Sequence, residues 1–281
     1  MTIKFDGRRI RDQILSELKV KFADLPVKPT LAVIWMGDDL VSARYVEQKQ
    51  RAAEFLGVHF DICKFPESVL TKTVIETIRE LNQNPQVIGI MIQLPIPKTL
   101  DQQLLISTIL PEKDVDALRF CSDLECSFRP PVTIGVLEAL KESGIDLKGS
   151  SIAVVGRGFL VGEPLIRVLQ SQVADLRVAD EQVLHLSTIT SDADVIISAT
   201  GHPSLIKPDM IKKGVILVDA GTAELGGKLV GDVDSRCYEK SAFYTPVPGG
   251  IGPMTVAVLF KNLYTAAQKK NLEFKNQNSE L

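Results

Sequence analysis

Ser151-Ile-Ala-Val-Val155-Gly156-Arg157-Gly158-Phe-Leu-Val161-Gly162-Glu163-Pro164 decides the fold of the second half of this chain. The stretch reads as a buried strand, a glycine-rich turn and a helix that continues to Gln170. Glycines let backbone amides approach a ligand closely, and a helix N-terminus adds partial positive charge, so the turn suits a pyrophosphate. Its spacing is one residue longer than G-x-G-x-x-G, so the dinucleotide fingerprint is imperfect, and a tight strand–helix connection is the plainer alternative. Working outward, Asp175 to Ala179, Val195 to Ala199 and Val215 to Asp219 read as further short strands, and Val136 to Ser143 as a connecting helix. Asp180 and Glu181 follow the second strand, about 20 residues beyond the turn, where a carboxylate is expected to bond the ribose hydroxyls of NAD and to repel a 2′-phosphate. Arg157 offers the opposite charge to such a phosphate. NAD and NADP therefore both stay open, as does the reading in which the two acids only cap the next turn.

The first half also alternates. Ile10, Ile14, Leu15 and Leu18 give helix spacing from Arg8 to Phe22, and Thr30 to Met36 is a continuous apolar run, as in a strand buried on both faces. Ser42 to Leu56 returns to helix spacing and ends at Gly57, an expected C-cap. Val58 to Lys64, Thr71 to Asn82 and Val87 to Ile92 repeat the cycle. The pattern predicts an α/β protein of two domains: an N-terminal α/β catalytic domain over 1–135 and a Rossmann-like dinucleotide-binding domain over 136–253. A last helix, Met254 to Lys270, is expected to pack back on the first domain.

With 281 residues, 45% of them apolar and 24% charged, the chain has the composition of a soluble globular protein with ample core. A formal charge of −3 argues against a nucleic-acid binder. No apolar run reaches the ~20 residues of a spanning helix, and the N-terminus lacks the features of a signal peptide. Cys63, Cys121, Cys126 and Cys237 are scattered and read as reduced thiols, so the expected compartment is the cytoplasm. His59, His185 and His202 have no matched partner, and no metal site is indicated.

Tyr244-Thr-Pro-Val-Pro248-Gly249-Gly250-Ile251-Gly252-Pro-Met-Thr255 interleaves stiff prolines with permissive glycines, as suits a loop that presses its backbone on a ligand. Tyr45 and Lys49 fall at i, i+4 on one helix face. Gln93 follows a buried strand, where ligands of parallel sheets gather. Asp114 and Asp116 stand in an expected loop. Each has a plain alternative: a solvated lysine, a glutamine that satisfies loop backbone, an ordinary acidic loop.

In this order, Tyr45-Val-x-x-Lys49, Gln93-Leu-Pro-Ile-Pro97, Lys113-Asp-Val-Asp116, Gly156-Arg157, Gly231-Asp-Val-Asp234 and the 245–255 loop resemble the bifunctional methylenetetrahydrofolate dehydrogenase/methenyltetrahydrofolate cyclohydrolase family over nearly the whole chain. The resemblance implies oxidation of 5,10-methylenetetrahydrofolate with NADP, then hydrolysis of the methenyl product to 10-formyltetrahydrofolate. It also implies an active site in the cleft between the domains, and a homodimer. Lys49 resembles the catalytic lysine of hydrolysis, Gln93 its positioning partner, Asp116 the pterin anchor and Tyr45 the aromatic neighbour of the folate ring. Gly156, Arg157, Gly158, Val161, Asp180, Glu181 and Thr222 become candidate cofactor contacts. Pro248, Gly249, Gly250, Ile251 and Gly252 become the substrate loop. Departures from the family pattern are Ala117 for glycine, Pro130-Pro131-Val132-Thr133, Gly158 for serine, Ala179-Asp180-Glu181 and Thr222, and most lie on the cofactor side. If φ is positive at Ala117, the loop carrying Asp116 is strained. Two other readings are an NAD-dependent amino or keto acid dehydrogenase of similar plan, and a degenerate folate-binding paralogue with weak or lost dehydrogenase activity.

Overall fold

The structure is a computed structural model that describes residues 2–122 and 124–279, with side chains described through Leu272. In chain order the main elements begin with β1 (Ile3–Lys4), α1 (Gly7–Ala23), β2 (Thr30–Met36), α2 (Leu40–Leu56), β3 (His59–Phe65), α3 (Thr71–Gln83) and β4 (Val87–Ile92). Then come α4 (Gln102–Thr108), α5 (Leu118–Cys121), α6 (Pro131–Ser143), β5 (Ser151–Val155), α7 (Gly162–Leu169), β6 (Asp175–Ala179) and α8 (Ser187–Thr190). The chain finishes with β7 (Val195–Ser198), β8 (Ile216–Asp219), a short hairpin of β9 (Ala223–Leu225) and β10 (Lys228–Val230), β11 (Phe243–Tyr244) and α9 (Ile251–Ser279).

Two compact units emerge: residues 12–129 with 256–281, and residues 1–11 with 130–255. The first holds a parallel three-stranded sheet, β3-β2-β4. Central β2 is buried on both faces, with Leu31, Ala32, Val33 and Ile34 all at 0% exposure, which is why its sequence runs apolar without alternation. Leu259, Phe260 and Leu263 of α9 share a core with Leu31, Val33, Val46 and Ala53. Gly89 lets α9 close on β4, since a Cβ there would lie 2.7 Å from Leu263 Cδ1 and 2.8 Å from Val115 Cγ2. Asn82 and Asp101 fasten the turns around α4: Asn82 Nδ2 donates to Thr108 O, and Asp101 caps the helix from its N-terminus.

The second unit holds a parallel six-stranded sheet in the order β1-β11-β8-β7-β5-β6. Ile152, Val154, Ile197 and Val218 pack on one face with α6 and α7, while Ala153, Val155, Ile196 and Leu217 pack on the other with Ile206, Ile211 and Cys237. Burial on both faces again explains the short unbroken apolar runs.

This division corrects the expected boundaries. Residues 1–11 belong with the six-stranded sheet and not with the three-stranded one, because Ile3 pairs with Phe243 on β11 and the Gly7 amide donates to Gly249 O. Residues 130–135 also move across, since they open α6, whose Val136, Ala139 and Leu140 lie in that unit's core. The last helix starts at Ile251, with Pro253 in its first turn, where the missing N–H has no intrahelical partner to lose.

Candidate functional site

In the unit of the three-stranded sheet, α2 is set by its ends. Asp39 accepts from the Ser42 amide at 2.7 Å, and Gly57 takes the left-handed C-cap with φ 70°. Lys49 sits one turn along α2 from Tyr45, which is 37% exposed. Gln93 continues the line of β4, its amide donating to Ile34 O at 2.8 Å, and its side chain is buried at 6% exposure. Gln93 Nε2 donates to Leu94 O at 2.8 Å, so Oε1 must face the other way, where it accepts from Lys49 Nζ at 2.8 Å. Ser42 Oγ donates to the same Leu94 carbonyl at 3.2 Å, tying α2 to the loop after β4.

The Lys113–Asp116 segment lies beside β4, with Ile90 donating to Lys113 O at 2.7 Å. Its residues divide the labour. Lys113 Nζ donates to Leu81, Asn82 and Asn84 carbonyls at 2.9, 2.7 and 2.9 Å and so closes the C-terminus of α3. Burial, with Lys270 adding to it and Glu112 opposing, holds the Lys113 amine down to about 8. Asp114 caps α5 by accepting from the Leu118 and Arg119 amides at 3.2 and 2.7 Å. Val115 is core, and its carbonyl accepts from buried Asn262 on α9 at 2.8 Å. Asp116 alone accepts no hydrogen bond from the described residues. Burial raises its carboxyl above the ordinary range and Lys49 counters that rise. Reciprocally, burial lowers the Lys49 amine and Asp116 opposes the fall. Ala117 adopts φ 58°, so this loop does require a left-handed residue, at a cost of about 1–2 kcal/mol for a side chain with a Cβ.

In the unit of the six-stranded sheet, the Gly156 amide donates to Ala179 O at 2.8 Å, which draws the 156–158 turn beside the end of β6. Gly156 has φ 96°, and a Cβ on it would meet Ala199 O at 2.7 Å. Gly162 opens α7, and a Cβ there would lie 2.0 Å from Gly156 O. No side chain caps α7 at Val161; the Glu163 amide donates to Gly158 O at 3.1 Å and Pro164 has no N–H, so among the first-turn amides it is that of Gly162 that stays available to an anion. This cradle fits a dinucleotide phosphate. Gly158, by contrast, has ordinary φ and open space around the position of a Cβ.

Arg157, the candidate partner of a phosphate, is paired within the protein. Its Nε donates to Glu163 Oε2 at 2.6 Å, and Glu163 also accepts from Arg167 at 3.3 Å. Asp180 Oδ1 accepts the Gln182 amide at 2.9 Å, which is the turn-capping role, while its second oxygen keeps no partner among the described residues. Glu181 and Thr222 are exposed beyond the C-terminal ends of β6 and β8.

The Pro/Gly loop belongs to this unit. Gly249 needs its φ of 112°, and Gly250 needs to lack a Cβ because Pro246 O would lie 2.6 Å away. The Gly250 amide donates to Pro246 O at 2.7 Å. Pro248, Ile251 and Gly252 lead from this turn into α9, and nothing crowds Gly252.

Sequence reasoning missed several structural polar groups. Asp219 accepts from the Gly221, Asp232 and Val233 amides at 3.1, 3.2 and 2.9 Å. Asp232 accepts from Ser198 Oγ, Thr200 N and Thr200 Oγ1 at 2.8, 2.7 and 2.9 Å. Together they knit the loops after β7, β8 and β10, so the Gly231–Asp234 motif is a brace. Gly221 and Gly231 make room, since a Cβ on either would fall 2.1 Å from one of these carboxylates. Asn262, next to Lys261 in the otherwise apolar Val256–Tyr264 run, carried the clearest sequence signal of a buried anchor.

Comparison with known proteins agrees with this geometry. Residues 5–116 match the tetrahydrofolate dehydrogenase/cyclohydrolase catalytic domain, and residues 130–271 match the NAD(P)-binding domain of the same family. The bifunctional protein FolD of Aquifex aeolicus is 40% identical, over 96% of this chain and 97% of its own. The structure of the Campylobacter jejuni bifunctional FolD superposes with a TM-score of 0.91 at 36% identity, covering 96% of this chain and 99% of that one. The Trypanosoma brucei FolD, complexed with NADP and an inhibitor, gives 0.87 at 30% identity, with 95% and 98% covered. Two domain matches in the family's order, and full-length relatives well above chance identity, leave one conclusion: the chain belongs to the tetrahydrofolate dehydrogenase/cyclohydrolase family.

Proposed function

We propose that this protein oxidises 5,10-methylenetetrahydrofolate to the 5,10-methenyl form with NAD(P)+ and hydrolyses that product to 10-formyltetrahydrofolate. The observation that carries the reading is the Lys49–Gln93 pair at 2.8 Å with Asp116 acting on Lys49 and otherwise unpartnered. An amino or keto acid dehydrogenase has no use for that arrangement.

In the hydrolytic step, water adds to the methenyl carbon and loses a proton; then the carbon–N5 bond breaks, the remaining hydroxyl proton leaves to give the formyl carbonyl and N5 gains a proton, so that one proton is released overall. Burial favours the neutral form of Lys49, which accepts the proton, while Asp116 keeps the ammonium accessible enough to return it. Gln93 aims the amine because its own amide is fixed by Leu94 O. Asp116 offers an acceptor for the amino and ring N–H groups of the pterin, Tyr45 an aromatic surface for the ring system, and 248–252 the substrate loop. When bound, the nicotinamide supplies a hydride acceptor. Gly156 and Gly162 let the turn close tightly on Ala199 and on the start of α7, and the Gly162 amide offers its pyrophosphate a donor. Arg157, Gly158, Asp180, Glu181 and Thr222 border the same turn and strand ends.

The homodimer is part of this reading, supported by β3, an edge strand whose Ile62 is 40% exposed. A cytoplasmic location is also part of it; no described helix is long and apolar enough to cross a membrane. The test is Lys49→Met: hydrolysis of methenyltetrahydrofolate should fall by about 10²–10⁴-fold while methylenetetrahydrofolate-dependent dinucleotide reduction persists. Undiminished hydrolysis would remove Lys49 from the reaction, and failure to reduce either dinucleotide would revive the degenerate-paralogue reading.

A further inference from the structure

The charges that border the dinucleotide turn bear on which sugar it accepts, an inference that rests on the proposed dehydrogenase activity. A ribose with a free 2′-hydroxyl needs an acceptor, whereas a 2′-phosphate needs cations and donors. Asp180 is placed as an acceptor: it directly follows β6, and the Gly156 amide on Ala179 O brings the turn alongside. One of its oxygens is spent on the Gln182 amide, and the other has no protein partner among the described residues.

The cation of the turn, Arg157, is already engaged. Arg157 pairs through Nε with Glu163 at 2.6 Å, and Asp180 adds to the negative field around it. Glu163 is itself held in place by Arg167, on the next turn of α7. Glu181 adds a further exposed carboxylate. His202, after β7, turns its Nδ1 to Thr200 O. Gly158 has room for a side chain and brings no donor of its own. Around this turn the three acids Asp180, Glu181 and Glu163 outnumber the two arginines Arg157 and Arg167, both of which pair with Glu163, and a dianionic phosphate would meet net negative charge.

We infer that the ribose subsite bordered by Asp180 and the 156–158 turn selects a free 2′-hydroxyl, so that the enzyme uses NAD+ in preference to NADP+. Asp180 is the specificity-determining residue, and Glu163 acts with it by neutralising Arg157. A hydroxyl donates to the open oxygen of Asp180; a phosphate at the same place must displace that carboxylate or break the Arg157–Glu163 pair.

Two measurements on the full-length protein test this. Calorimetric titration with ADP-ribose and with 2′-phospho-ADP-ribose reads the subsite without turnover, and kcat/KM for NAD+ against NADP+ reads its consequence. The wild type should bind ADP-ribose at least tenfold more tightly and show the same preference in kcat/KM. Asp180→Ser should lower the ratio at least tenfold, and Glu163→Gln, which frees Arg157, should move it the same way. Equal or tighter binding of the phosphorylated ligand by the wild type overturns the inference, as does an unchanged ratio in both variants. Binding of neither ligand would overturn the dinucleotide site as well, which separates failure of the proposed function from failure of this specificity alone.

Discussion

Gln93 gives the most exacting test of the hydrolytic reading, because two substitutions of similar size should move one observable in opposite directions. The bond from Lys49 Nζ to Gln93 Oε1 is 2.8 Å long, and Nε2 is fixed on Leu94 O. A hydrogen bond from an ammonium is worth about 1.5–3 kcal/mol, and each pH unit corresponds to about 1.4 kcal/mol. Gln93→Leu removes the acceptor, disfavours the ammonium, and should move the acid limb of the hydrolysis pH profile down by about one to two pH units. Gln93→Glu puts a carboxylate in the same place. At an effective dielectric constant near 20, unit charges ~4 Å apart attract by about 4 kcal/mol, part of which is offset by desolvating the new carboxylate. Its limb should therefore move up by at least about one pH unit. Asp116, the other group acting on Lys49, is unchanged in both variants. The assay follows loss of methenyltetrahydrofolate absorbance from about pH 5 to 9 under saturating substrate. Plateau rates will fall in both, so the position of the limb is the readout. Limbs that stay put, or that move together, would refute Lys49 as the titrating base.

Further expectations concern the supports of the site. Lys113→Met strips a buried ammonium from the Leu81, Asn82 and Asn84 carbonyls and should cost about 3 kcal/mol, read as a lower urea midpoint with unchanged slope. Gly162→Ala should destabilise by about 1–3 kcal/mol and abolish dinucleotide binding, given the 2.0 Å approach to Gly156 O. Gly158→Ala should change stability by no more than about 0.5 kcal/mol, since nothing stands near the added methyl. Burial pushes Asp114 up to about 7, against backbone amides that oppose it, from an ordinary value of 3.8; burial, helped by Asp232, does the same for Asp219. Between those values the folded chain holds protons that the unfolded chain has released, so this contribution to stability is full below about pH 4 and lost as pH rises through 7. Asp194 and Asp234, held down to about 2, lose their contribution only below pH 4, outside that window. Denaturation from pH 4 to 7 should therefore show falling stability, and Asp114→Asn should flatten the slope; an identical slope would mean Asp114 is ionised throughout.

What could be read from the sequence was what neighbours along the chain determine. β2, β4 and β5 run over the residues expected of them, because strands buried on both faces must be continuously apolar and their ends are marked by Gly or polar residues. Gly57 was legible as a cap because a left-handed residue at a helix end needs no tertiary partner. β1 and β11 were not legible. Each has two residues, and their pairing joins Ile3 to Phe243 across almost the whole chain. That single long-range pairing moved residues 1–11 into the other unit.

Lys49, Gln93 and Asp116 were singled out by the resemblance of their motifs, taken in order, to a known family; each residue alone had a plain alternative. Their states were not legible. A lysine becomes a base near neutrality only through burial and the charges folded around it, and Asp116 is available only because Lys113, Asp114 and Asn262 take up the structural duties of its loop. The same holds at the cofactor turn. Sequence put Arg157 and Asp180 near one ligand, but only the folded turn pairs Arg157 with Glu163 and leaves Asp180 an open oxygen. Sequence by itself fixed which groups are present and which strands are buried; the tertiary structure decided which charges are neutralised, because electrostatic partners are set by distance in space and not by distance along the chain.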